Sequence, residues 1–204
     1  MSEVSASLVR DLRDKTGAGM MDCKRALAES QGDLEKAIVF LREKGLAAAA
    51  KRATRAASEG TVGSYIHAGG KIGVLIEVNC ETDFVARTPQ FQTLVKELAM
   101  QVAAANPRYV VREEVPASVL DTEREIFRAQ AASSGKPAAV IEKIVDGKID
   151  KFYADVCLLE QAFIKDPQKS VRQLVTDTIA QLGENVVVRR FARFQLGEAS
   201  ETAE

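Results

Sequence analysis

Tryptophan is missing from this chain of 204 residues, histidine occurs once, and aromatic residues make up only 5% of it. So little ring surface argues against stacking on nucleic-acid bases. A single imidazole, His67, leaves one position around which a histidine-based metal site or catalytic pair could be built. The three cysteines, Cys23, Cys80 and Cys157, are odd in number, far apart and never in a CxxC pair. They read as reduced thiols, not as a disulfide framework or a zinc site. No Gly-rich phosphate loop and no carboxylate–histidine cluster with metal-ligand spacing occurs, so no cofactor is expected. The formal net charge is −1, which gives no overall field for nucleic acid or membrane. No segment approaches a membrane span, and no basic start leads into an apolar run at the N-terminus. A cytoplasmic location is expected.

What is present suits a globular chain. Hydrophobic residues are 46% and charged residues 28%, enough for one or two domains with a real core. Ser5 predicts a helix cap ahead of the apolar stripe Leu8, Val9 and Leu12, and Thr16-Gly17 predicts the stop. A second helix carries Met20, Cys23 and Leu27. Asp33 predicts the cap of a third, with Leu34, Ala37, Ile38 and Leu41 at helical spacing and Gly45 as its end. Residues 1–45 thus read as a three-helix bundle that resembles a ubiquitin-associated-type fold. Residues 46–58 are Ala-rich and read as a helical linker. Its Lys51, Arg52 and Arg55 fit a solvated face or a surface for an acidic partner.

From Gly60 the period changes to two. Thr61–His67 and Lys71–Cys80 predict two strands joined across Gly69-Gly70, with Ile72, Val74, Ile76, Val78 and Cys80 on the core face. Thr88 caps a helix that begins at Pro89, with Phe91, Leu94, Val95, Leu98 and Val102 as its buried stripe. Residues 116–156 read as an antiparallel helical hairpin turning near Ser133-Ser134-Gly135. Asp166-Pro167 predicts a turn, Ser170 the cap of a last helix closed by Gly183, and Asn185–Leu196 a final strand. The fold class expected is α+β: the bundle, then a small antiparallel three-stranded sheet covered by helices. Residues 59–197 read as this core and dimerisation domain, since so small a sheet leaves edges through which self-association is physically open. Residues 198–204 read as a disordered acidic tail.

Three places carry chemistry. Cys80 and His67 lie on neighbouring predicted strands with Asp83 nearby, the makings of a thiol enzyme. Yet Cys80 falls on the apolar register, where cysteine behaves as a small hydrophobe. Thr82-Asp83-Phe84-Val85 follows the second strand as a short loop. Phe84 and Val85 can fold back into the core with Asp83 capping the next turn, or Phe84 can stand out as an apolar wedge for a partner. Met20 and Met21 are adjacent, and neighbours on a helix are about 100° apart, so both cannot point into the bundle. An exposed methionine is an adaptable contact for another protein.

Two of these places lie in stretches that resemble a known family. Leu12-Arg13-Asp14-Lys15-Thr16-Gly17-Ala18-Gly19-Met20-Met21-Asp22-Cys23-Lys24 resembles the opening signature of the bacterial translation elongation factor Ts family. Glu77-Val78-Asn79-Cys80-Glu81-Thr82-Asp83-Phe84-Val85-Ala86 is similar to its second signature. Ser133-Ser134-Gly135-Lys136-Pro137 resembles part of its coiled-coil hairpin, and Phe152–Phe163 the region after it. The likeness is to the short form, with one sheet subdomain, whose members form homodimers through the sheet region. The resemblance implies guanine nucleotide exchange on elongation factor Tu without catalytic residues of the chain's own. It implies that the bundle docks on the partner's GTPase domain with Met20 and Met21 in contact. It further implies that Thr82, Asp83, Phe84 and Val85 displace the partner's Mg²⁺: Phe84 enters an apolar pocket and Asp83 disturbs the metal's water shell. A binding or chaperone module and a thiol enzyme are the other function classes that the residues leave open.

Overall fold

In a computed structural model, residues 4–133 and 137–198 are described. The elements are α1 (Ala6–Thr16), α2 (Met20–Glu29), α3 (Leu34–Arg52), β1 (Glu59–Ile66), β2 (Ile72–Cys80), α4 (Asp83–Ala86) and α5 (Pro89–Ala105). They continue with α6 (Ala117–Ala132), α7 (Ala138–Val156), β3 (Ala162–Phe163), β4 (Asp166–Ser170), α8 (Val171–Leu182) and β5 (Val186–Gln195). The class is α+β, with a three-stranded sheet in the order β1-β2-β5 and a two-stranded ribbon of β3 and β4. The contacts divide the chain into two compact units. The first holds Met1–Thr61, Val78–Val95 and Gln173–Val187; the second holds Val62–Glu77, Lys96–Arg172 and Val188–Glu204.

In the first unit the three N-terminal helices form around Val9, Leu12, Cys23, Ala26, Leu27 and Ala37, with Leu34, Ile38, Phe40 and Leu41 packed against them. The expected caps are in place. The Ser5 hydroxyl accepts from the Leu8 N–H, and the Asp33 carboxylate accepts from the Lys36 N–H. That bond is the largest cause holding the Asp33 carboxyl below its ordinary pKa. Gly17 ends α1 at φ 66°, with its N–H on the Arg13 carbonyl at 2.7 Å. The third helix does not end at Gly45. It runs on through the Ala-rich stretch to Arg52. A helical glycine costs only about 1 kcal/mol against alanine. Here it also serves a close approach, because a Cβ at Gly45 would lie 3.3 Å from the Ala180 Cβ on α8. Arg42 donates to the Gln173 side chain at 3.1 Å, and Gln181 donates to the Thr16 carbonyl at 3.2 Å. The bundle is thereby tied to α8 within one unit.

β2 alternates as expected. Val74, Ile76, Val78 and Cys80 are buried, Ile72 half-buried, and Leu75 points the other way and is exposed. The Thr88 hydroxyl accepts from the Phe91 N–H at 3.3 Å, which places Phe91, Leu94, Val95, Leu98 and Val102 in buried positions along α5.

In the second unit α6 and α7 form the predicted hairpin, with α6 reaching Ala132. Residues 134–136, at its turn, lie outside the described residues, as does the tail from 199 onward. Arg128 grips Glu142 through two bonds of 2.9 and 3.1 Å, and Arg124 reaches Asp146 at 3.3 Å. The buried Gln101 organises the segment after the hairpin. Its Nε2 donates to the Gln161 side chain and the Ala162 carbonyl, and its Oε1 accepts from the Ile164 N–H. Asp166-Pro167 is not the turn expected: these residues open β4, which pairs antiparallel with β3, and the chain reverses at Ile164-Lys165. A two-stranded ribbon is all edge, so a proline without an N–H can sit in it.

Candidate functional site

The second strand delivers its last residues into a turn that is held from several sides. Cys80 is fully buried, and its S–H donates to the Thr82 carbonyl at 3.1 Å. Thr82 stays extended, at φ −130° and ψ 153°, and its hydroxyl accepts from the Val85 N–H at 3.4 Å. That is N-cap geometry. The segment expected as a loop is therefore one turn of helix, α4, and the cap is Thr82, not Asp83. At its far end the Thr88 hydroxyl donates to the Val85 carbonyl at 2.8 Å and Gln92 donates to the Ala86 carbonyl at 2.6 Å.

This geometry sorts the four side chains. Ala86 is buried and Val85 half-buried, so the inward side of the turn is already filled. Phe84 is 78% exposed. It does not fold back into the core. Asp83 is half-exposed and pairs with Arg87 one helical turn on, at 2.9 Å.

Two residues from the turn between α8 and β5 complete the mount. The Glu184 carboxylate accepts from the Thr82 N–H at 3.1 Å through Oε2 and from the Thr82 hydroxyl at 2.7 Å through Oε1. In return Glu81 Oε1 accepts from the Asn185 N–H at 2.6 Å, and the Asn185 side-chain amide donates to the Arg55 carbonyl at 2.8 Å. Sequence reading missed Glu184 and Asn185. They lie 102 and 104 positions from their partners, and no local pattern marks such a pairing.

Met20 and Met21 open α2, whose N-cap Gly19 has no side chain to bond with. Cys23, Ala26 and Leu27 take the inward face, leaving Met20 49% and Met21 68% exposed. Both methionines thus face solvent. The next residue, Asp22, is held by Lys44 of α3 at 2.6 Å.

The Cys80 thiol is not activated. Burial, and next the Glu184 carboxylate, push the Cys80 thiol above its ordinary pKa, opposite to what a nucleophile needs. His67 is exposed, with Nδ1 3.0 Å from the Tyr65 hydroxyl. Among the described residues no group of three or more His, Cys, Asp and Glu could hold a metal ion. No helix among them is long and apolar enough to cross a membrane.

A family model described as "Elongation factor TS" matches residues 20–198. Relatives named "Elongation factor Ts" match over nearly the whole chain. The protein of Thermoanaerobacter sp. (strain X514) is 62% identical over 200 residues, covering 98% of both chains. That of Geobacter sulfurreducens is 63% identical over 201 residues, 98% of this chain and 93% of its own. That of Anaeromyxobacter dehalogenans (strain 2CP-1) is 63% identical over 201 residues, 98% and 92%. Both signature stretches fall inside the family model's span, apart from Leu12–Gly19, which precede its first matched residue. The chain belongs to the elongation factor Ts family.

Proposed function

We propose that the chain is a guanine nucleotide exchange factor for elongation factor Tu: it binds the GDP-bound partner, displaces Mg²⁺ and promotes GDP release so that GTP can bind. The observation that carries this reading is the exposure of Phe84 on a fastened turn. A phenyl ring contributes most to stability when buried, roughly 1.5–3 kcal/mol. Leaving it in water on a mount with this many bonds makes sense when a partner buries it. Phe84 enters an apolar pocket of the partner beside the nucleotide, and Asp83 arrives with it as a local negative charge near the metal's water shell. Val85 and Thr82 form the base of the same contact. Met20 and Met21 give the bundle an adaptable second contact on the partner's GTPase domain. The chain supplies no catalytic residue; it changes which ligand the partner prefers.

Magnitudes support the division of labour. Weakening nucleotide by about 10⁴-fold needs about 5.5 kcal/mol of coupling. One phenyl ring supplies roughly half of that at best, so the bundle and the α+β core contribute the remainder. Coupling is reciprocal, so nucleotide in turn weakens the grip of this chain on its partner and lets the complex come apart.

A homodimer through the sheet is part of the same proposal. Val62 and Ile66 of β1, Leu75 of β2 and Phe194 of β5, followed by Leu196, are all exposed apolar side chains. A second copy would cover them. The same reading puts the chain in the cytoplasm, beside its partner.

Release of labelled GDP from elongation factor Tu, followed with and without the protein, tests the function. Acceleration that saturates with protein concentration is the expected result. Binding without acceleration would overturn the exchange reading in favour of a binding module.

A further inference from the structure

Phe84 gains little from the fold it stands on. With 78% of it in water, packing does not set its direction, so the backbone beneath must. That backbone is a single helical turn of four residues, Asp83–Ala86. One turn is the costly part of a helix: it fixes several torsions for a single bond and does not persist by itself. Something outside the turn has to hold it.

We infer that Glu184 is a positioning residue for exchange, whose carboxylate fixes the direction in which Phe84 and Asp83 are presented; this rests on the exchange reading above. Both polar protons of Thr82 are committed to it. The N–H is spent on Glu184 Oε2 at 3.1 Å and the hydroxyl proton on Glu184 Oε1 at 2.7 Å. With the hydroxyl proton so placed, an oxygen lone pair is left facing the Val85 N–H, and it accepts from it at 3.4 Å. The carboxylate therefore sets the hydroxyl rotor, and the rotor sets the first turn of α4. The Thr82 carbonyl is also engaged, by the Cys80 thiol and by the Ala86 N–H at 3.3 Å.

The clamp is reciprocal. Glu184 takes the N–H of the residue after Glu81, and Glu81 takes the N–H of the residue after Glu184. Two chain crossings are pinned by two acids, and Arg55 stands 3.5 Å from the Glu81 carboxylate to offset their charge. The carboxylate presents one oxygen to each Thr82 donor, and an amide in the same pose would turn its NH₂ group toward one of them. Charge-assisted bonds of this kind are also the strong ones. Productive contacts need their groups held within about 10–20°, a tolerance that a free one-turn helix does not keep.

The test is a double-mutant cycle on stimulated GDP release, measured over a range of protein concentrations with the full chain and elongation factor Tu. Glu184→Ala is expected to lower the maximal stimulated rate about ten-fold while changing the half-saturating concentration by less than about three-fold, because most of the interface energy lies elsewhere. In the Phe84→Ala background the same change should cost clearly less, about three-fold or under, the part that Asp83 still loses. Glu184→Gln, which keeps one acceptor, should fall between the two, near three-fold by the same scale. Circular dichroism and a thermal melt show whether each variant is folded; if Glu184→Ala is not, Glu184→Gln is carried through the cycle in its place. Additive losses from Glu184 and Phe84, or an effect confined to the half-saturating concentration, would overturn the positioning role and leave the exchange reading standing. A Phe84→Ala protein that stimulates release like the parent would remove the contact that Glu184 is said to aim. The Phe84 contact and the positioning role would then fall with exchange left standing, whereas a parent chain that does not stimulate release would overturn the exchange reading itself.

Discussion

Phe84 and the Met20-Met21 pair are both apolar, both largely exposed and both at the start of a helix, yet they are mounted in opposite ways. Phe84 is a stiff side chain on a turn fastened by Thr82, Glu184, Thr88 and Gln92. The methionines are flexible side chains on a helix whose cap is a glycine with no side-chain bond. A stiff group on a stiff mount delivers force in one direction. A soft group on a plain helix end fills whatever surface it meets. The proposed division is that Phe84 decides what happens to the nucleotide, and the methionines add affinity.

Each mount also has a glycine behind it, and the two glycines differ. Gly60, at φ 137°, lies under the end of β2, where an added Cβ would sit 2.2 Å from the Val78 carbonyl oxygen and 2.7 Å from the Asn79 Cα. Gly17, at φ 66°, lies before α2, where the nearest obstacle is the amide end of the Gln181 side chain at 2.5 Å. Backbone cannot move aside; the tip of a glutamine can.

The largest effect is therefore expected from Gly60→Ala. Clash and strain together should cost more than about 3 kcal/mol, enough to lower the melting temperature sharply or prevent folding. A melt within a few degrees of the parent would show that the mount is softer than described. Next comes Phe84→Ala, which should leave the melt unchanged and lower the maximal rate of stimulated GDP release about ten- to a hundred-fold, the equivalent of one buried phenyl ring. If only the half-saturating concentration rises, Phe84 is an affinity contact like the methionines and the contrast collapses. Gly17→Ala should cost about 1–2 kcal/mol, mostly from its left-handed backbone, read as a modest fall in the thermal midpoint. Met20→Ala and Met21→Ala should each raise the half-saturating concentration by a few-fold, roughly 1 kcal/mol of lost contact, with the maximal rate nearly intact. The smallest effect belongs to Arg87→Ala. Its exposed pair with Asp83 is worth no more than about 0.5 kcal/mol to stability, so chemical denaturation should barely shift.

Local signals were legible and distant ones were not. Ser5, Asp33 and Thr88 cap the helices their positions predict, since a cap needs only the next three residues. The inward face of β2 was legible because alternation is a local property of the strand. Gly45 misled because a helix former on either side outweighs one glycine, and because its reason, the nearness of Ala180, is 135 positions away. Asp166-Pro167 misled in the same manner: proline marks turns in general, but which residues turn was settled by the partner strand β3. At the candidate site, pattern alone left Phe84 either inward or outward. The deciding facts are that Val85 and Ala86 take the inward side and that Thr82 supplies the cap. The Glu184 clamp had no signature at all, being made between two turns that the chain brings together late.

That lateness has a consequence for the chain as it is made. Thr82 and Glu184 are 102 positions apart, so at about 5–20 residues per second synthesis takes roughly 5–20 s to supply the second after the first. Throughout that interval the Phe84 segment exists without its clamp. A product cut short between Gln92 and Glu184 carries the whole second signature stretch without the carboxylate that clamps it. The Phe84 turn therefore receives this fastening only once Glu184 has been made, and under the proposed role its aim is set no earlier.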